Sequence, residues 1–132
     1  MQLKLKRNRA TFLELREANP EEIEQEDFDL RHRTIFDEHQ TDSFSVEFRL
    51  GVTVDKSYRL TVQYTSQFET DSEFGADFRD SSFVRINAPA IAFPFIRSYV
   101  AHITLIGGFE SVILPSVNFT VKDSDIKPFD AD

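Results

Sequence analysis

Proton transfer near neutral pH falls most readily to histidine, and this 132-residue chain has three: His32, His39 and His102. They form no HxxxH or HExxH spacing, so no pair is set to share a metal from one helix face. His32 and His39 lie in an acidic stretch with Asp37 and Glu38. A weak metal site is compatible with that grouping, but solvated loop residues explain it equally and are the preferred reading. His102 stands in an apolar segment, which suits a core or interface residue with a backbone partner better than a base. Carboxylates are plentiful, yet a catalytic pair needs burial to raise one pKa. Runs such as Glu21-Glu22 and Glu24-Gln25-Glu26-Asp27 read as solvated. Cys is absent, which removes thiolate nucleophiles, thiolate zinc sites and disulfides. Gly107-Gly108 follows a helical pattern, whereas a phosphate loop would precede one, and no GxSxG occurs. The expectation is no enzyme, no cofactor and no metal.

The length implies one domain, assigned to residues 1–119, with a short polar tail at 120–132. Fifteen Lys and Arg against 23 Asp and Glu give a net charge of −8. That balance argues against nucleic acid, which demands a basic face, and against anionic lipid surfaces. The apolar runs fall short of the ~20 residues of a membrane span, and MQLKLKRNRATF lacks an apolar signal-peptide region. A soluble, cytoplasmic domain is expected.

The elements that must position any site are mostly strands. Residues 43–54, SFSVEFRLGVTV, put Phe44, Val46, Phe48, Leu50, Val52 and Val54 on one face. Period-two alternation of that length marks a half-buried antiparallel strand. After a short turn at Asp55-Lys56 the pattern resumes at Tyr58, Leu60, Val62 and Tyr64, completing a hairpin. An earlier strand is read at 2–7, resuming at 12–15 with a bulge where the apolar phase shifts. SFVRIN, residues 82–87, reads as a fourth strand. The acidic stretches 17–42 and 69–80 show no sustained period and read as loops, the first crossing the sheet or its edge.

From Pro94 to Ile106 the pattern is helical, with Pro94 in the first turn and Gly107-Gly108 as the stop. Ile96, Tyr99, Val100 and Ile103 make one stripe, but Phe95, Ala101, Leu105 and Ile106 lie off it. A helix apolar over most of its circumference can bury one side on the sheet. The other side calls for a neighbouring subunit.

Phe28 and Phe36 fall inside the first acidic stretch, Phe74 and Phe78 inside the second. Such residues either fold back as anchors on the core or line an apolar groove rimmed by carboxylates, which would hold extended or unfolded polypeptide with little sequence preference.

The stretch Ile86 to Phe119, INAPAIAFPFIRSYVAHITLIGGFESVILPSVNF, resembles the signature region of the SecB family of protein-export chaperones. The matching pieces are Asn87 and Pro89, Phe93-Pro94-Phe95 with Arg97, Gly108-Phe109, and Leu114-Pro115-Ser116-Val117-Asn118-Phe119. Upstream, Glu26-Asp27-Phe28 resembles the family's acidic-aromatic point between the first two strands. The resemblance implies an α+β fold, a four-stranded antiparallel sheet followed by one long helix, assembled as a homotetramer, a dimer of dimers. It implies an ATP-independent holdase that buries apolar parts of unfolded precursors and passes them to the SecA motor. Phe28, Phe36, Phe68, Phe109, Val112 and Leu114 are then assigned to client binding. Phe95, Tyr99, Val100, His102, Ile103 and Ile106 are assigned to the oligomer interface. Two departures stand out. The family's second helix and tail, which contact SecA, are matched here only by TVKDSDIKPFDAD, with Pro128 inside it. Lys4, Lys6 and Arg9 also dilute the acidic groups of the family's motor-docking sheet face, although Glu14 and Glu17 remain. The alternatives are a SecB-like chaperone dedicated to one small client such as an antitoxin, and a hydrolase using loop carboxylates with His32 or His39.

Overall fold

The computed structural model of the chain describes residues 1–24, 28–120 and 129. Four antiparallel strands, β1 (Leu3–Glu17), β2 (Phe28–Ile35), β3 (Ser43–Val54) and β4 (Tyr58–Thr70), form one sheet in the order β1-β4-β3-β2. A short helix, α1 (Pro20–Glu24), lies between β1 and β2, and a long one, α2 (Ala88–Ile106), follows the sheet. The fold is the expected α+β arrangement.

The β3–β4 hairpin forms where the alternation places it. Asp55 and Lys56 both have positive φ, 49° and 65°, and Ser57 N–H donates to the Val54 carbonyl. Two successive left-handed residues match the right-handed twist of the flanking strands. β1 runs unbroken through two irregularities, between Leu5 and Arg7 and between Ala10 and Phe12. These bulges absorb the phase shift in its sequence.

Three expectations are corrected. First, the stretch 17–42 is not all loop, because residues 28–35 form the edge strand β2 on β3. Its inward residues are Phe28, Leu30, His32 and Thr34, and its outward ones include Asp29, Arg31 and Arg33. Polar groups on both faces hid the alternation. His32 is therefore a strand residue packed edge-on against Phe119, ring centroids 5.4 Å apart.

Second, residues 83–87 are a π-helical stretch rather than a strand. Third, α2 begins at Ala88, so Pro94 lies inside it instead of in its first turn. Val84, Ala88, Ala92, Ile96, Val100 and Thr104 form a stripe at every fourth position, and all are buried. The small alanines let the helix approach the sheet closely. Pro89 and Pro94 each remove one helical N–H, and those two breaks masked the stripe in the sequence.

Together Phe83–Ile106 is long and apolar enough to match a membrane span by length and composition, more than the broken apolar runs suggest. Its buried stripe is committed to a sheet with two strand edges, an arrangement that a bilayer's hydrocarbon does not accommodate. The core between α2 and the sheet is built from the inward residues of β3 and β4, with Phe48, Leu50, Leu60, Val62 and Phe68 fully buried. Phe74 and Phe78 fold back as anchors; their rings stack 4.6 Å apart and meet Phe44.

The outer face of the sheet is polar and unevenly charged. Register and alternation place Lys4, Arg7, Arg9, Arg16, Arg31, Arg33, Arg49 and Arg59 there, against Glu14, Asp29, Glu47 and Glu69. Arg59 lies flat over Gly51, where an added Cβ would stand 2.5 Å from its Nη2. Any larger residue at 51 would displace the guanidinium.

Candidate functional site

The tip of the β3–β4 hairpin holds two neighbouring segments in place. Ala18 N–H donates to the Ser57 carbonyl at 2.8 Å, fixing the chain as it leaves β1. Glu110 N–H donates to Asp55 Oδ1 at 3.2 Å, fixing the chain as it leaves α2. Between these anchor points opens an apolar groove of about 520 Å³, lined by Ile23, Phe28, Val52, Thr53, Lys56, Val112, Ile113, Leu114 and Pro115.

Each wall has a local cause. α1 starts on a reciprocal cap: Asn19 Oδ1 accepts from Glu22 N–H at 2.9 Å, and Glu22 Oε1 accepts from Asn19 N–H at 3.0 Å. Arg16 grips the same carboxylate through both terminal nitrogens at 2.7 Å. The Arg16 hydrogen bonds, then the Asn19 backbone bond, lower the Glu22 pKa to about 2. This network holds Ile23 beside the groove within an otherwise acidic turn.

The opposite wall depends on how α2 ends. Gly108 has φ +92°, Gly108 N–H bonds the Leu105 carbonyl and Phe109 N–H bonds the Thr104 carbonyl. That double bond with a left-handed residue is a Schellman stop, and it turns the chain back along the helix. Thr104 Oγ1 donates to the Val100 carbonyl and accepts from Val112 N–H at 2.9 Å. Ser111 Oγ donates to the Ala101 carbonyl at 2.9 Å. Leu114 then plugs into the core while Ile113, 66% exposed, points away from it.

Of the six residues assigned to client binding, Phe28, Val112 and Leu114 line this groove. Leu114 contributes from a fully buried position. Phe109 is not among the lining residues; its ring lies 4.9 Å from that of Tyr58. Phe36 and Phe68 belong to the other end of the sheet, roughly 20–25 Å away along β2. There Phe36 packs on Phe44 and Phe74 beneath the Arg79 guanidinium, and Phe68 stacks on Phe44. Glu26 and Asp27 lie outside the described residues. Sequence reasoning missed Ile23 and Ile113. For Ile23 the signal was a single branched aliphatic residue isolated among acids in PEEIE; Ile113 stands inside the apolar run Val112-Ile113-Leu114, where nothing in the sequence marks it as the outward member.

The residues assigned to the oligomer interface also divide. Phe95 and Ile106 are 45% and 81% exposed, and His102 is exposed with Nδ1 donating to the Ser98 carbonyl at 2.7 Å. Tyr99 and Ile103 are half-buried, and Val100 is fully buried against the sheet. Ile91 and Leu105, exposed on the same helix, extend the outward apolar ridge to roughly 20 Å. Among the described residues no group of three or more His, Asp or Glu converges as a metal site.

Residues 6–121 match the family model described as preprotein translocase subunit SecB. The protein-export protein SecB of Ehrlichia canis is 33% identical over 92 residues, 63% of this chain and 50% of that protein. Its counterpart in Ehrlichia chaffeensis is 32% identical over 82 residues, 57% of this chain and 45% of that protein. The matches thus span about half the length of these curated relatives. Among solved structures, a SecB-like chaperone of Mycobacterium tuberculosis in complex with an antitoxin peptide superposes with a TM-score of 0.63 at 12% identity, covering 88% of this chain and 90% of that one. A Streptococcus agalactiae protein of unknown function superposes with a TM-score of 0.57 at 14% identity, covering 88% and 98%. With the family model matching residues 6–121, well over half of the sequence, the chain belongs to the SecB family.

Proposed function

We propose that this chain is a holdase of protein export, binding unfolded precursor polypeptides in the cytoplasm without ATP, cofactor or chemical step. The groove at the hairpin end carries the reading. It is open, apolar along its floor and built on fixed backbone bonds, and it has Ile23 and Ile113 at hand for a passing aliphatic or aromatic side chain. Burying one such side chain contributes about 1.5–3 kcal/mol. Several grooves on one assembly would multiply that by effective concentration. Area burial is non-directional, so affinity follows apolar content rather than sequence. The outward ridge of α2 joins copies of the chain into a dimer of dimers, which brings the grooves together. Delivery to the SecA motor completes the reading.

Suppression of aggregation of a reduced, unfolding test protein, followed by light scattering without ATP, tests the proposal. Substoichiometric to equimolar chaperone suppresses scattering if the reading holds; no effect at several-fold excess rejects it. A narrower reading, service to one small client, draws support from the structural relative bound to an antitoxin peptide. Affinity purification separates the two: many precursors favour the export holdase, and one stoichiometric partner favours the dedicated chaperone.

A further inference from the structure

Phe129 lies on the outer face of the sheet and is not among the residues that line the groove. The residue is only 6% exposed, and two guanidinium groups cover its ring, Arg33 at 4.1 Å and Arg49 at 4.6 Å from the ring centroid. Arg49 Nη1 also reaches the Phe129 carbonyl at 3.5 Å. Glu47 accepts from Arg33 Nε at 2.9 Å and so orients one of the two covering groups. Arg33 comes from the edge strand and Arg49 from its neighbour, so the clamp is built across two strands and not by one mobile side chain.

The surroundings carry a second observation. The chain as a whole is at −8, yet cations outnumber acids on this face. The residue held there sits in the sequence Lys127-Pro128-Phe129-Asp130-Ala131-Asp132: an aromatic side chain followed by carboxylates. A cationic surface with a slot for a ring selects that chemistry. Guanidinium groups hold the ring by its negative face, and the surrounding arginines attract acids in a salt-dependent way.

We propose that the outer face of the sheet is a docking site for an acidic polypeptide segment carrying an aromatic residue, and that Phe129 occupies it in cis until such a partner displaces it. Docking is then gated by a resident pseudo-ligand, and the client groove on the other side is left untouched.

The test uses a fluorescent peptide of residues 123–132 as probe, with the full-length chain and its variants, read by polarisation. Phe129→Ala binds the probe about tenfold or more tightly than the parent chain, whose site is filled. Phe129→Leu falls between them. Adding Arg33→Gln and Arg49→Gln to Phe129→Ala abolishes binding, and raising the salt weakens it. Probes with Phe replaced by Ala, or with Asp replaced by Asn, lose most of their affinity. Equal binding by the parent and Phe129→Ala, no binding by either, or indifference to the two arginines overturns the proposal.

Discussion

Two apolar surfaces of this molecule, the groove and the outward side of α2, differ in shape. The groove at the hairpin end is concave, narrow and flanked by charged residues, with walls from α1, β2, β3 and the segment after α2. The outward side of α2 is a convex ridge, Ile91, Phe95, Leu105 and Ile106, standing on a helix whose opposite side is completely buried. A concave slot suits single side chains of an extended segment, gained and lost one at a time. A convex apolar ridge suits the matching ridge of another helix, where apolar area is buried along its length. Under the proposed function, similar residue types serve transient binding in one place and lasting association in the other.

Substitutions can break that comparison at several depths. Ile96→Ala removes a fully buried side chain from the frame both surfaces share; about 2–5 kcal/mol of stability should be lost in urea unfolding at fixed protein concentration. Phe95→Asp with Ile106→Asp puts charges on the ridge, and association should weaken about thirtyfold or more, read as a lower absolute mass by light scattering. Client binding per chain should survive at the groove. Phe28→Ser with Ile113→Ser reverses the outcome: affinity for an unfolded client falls about tenfold while the mass is unchanged. Phe36→Ser sharpens the contrast, since its ring packs in the far aromatic cluster. It should lower stability and leave client affinity alone.

The smallest effect concerns the α1 wall. Arg16 holds the Glu22 carboxyl at about 2, below its ordinary 4.5. A depressed folded-state pKa gives stabilisation that is present above 4.5 and lost as the pH falls through about 2. The Glu22 titration followed by NMR should have its midpoint near 2, and Arg16→Gln should move it back towards 4.5.

Much of the fold was legible because its longest hairpin obeys a single rule. In β3 every inward residue is apolar and every outward one is polar or glycine. The end of α2 was legible for a similar reason, since Gly107-Gly108 can be read as a stop without tertiary information. β2 was not legible: His32 and Thr34 face the core beside charged outward neighbours, so tertiary pairing with β3 decides its state. The start of α2 was hidden by Pro89 and Pro94, which break helices in isolation but are tolerated here where the every-fourth-residue stripe is buried. The groove was half legible. Phe28 and Val112 could be assigned, but Phe28 and Phe36 were grouped by proximity in sequence, and the strand between them carries them to opposite ends. The clamp on Phe129 needs residues from β2, β3 and the tail, a juxtaposition no linear spacing encodes.

Site-specific photo-crosslinking tests the division of labour most directly. A photoreactive residue at Ile113 and another at Phe95, each in an otherwise unaltered chain, are irradiated with an unfolded client present. The account predicts client adducts from position 113 and chain-to-chain adducts from position 95. Client adducts from position 95 with none from position 113 would contradict it.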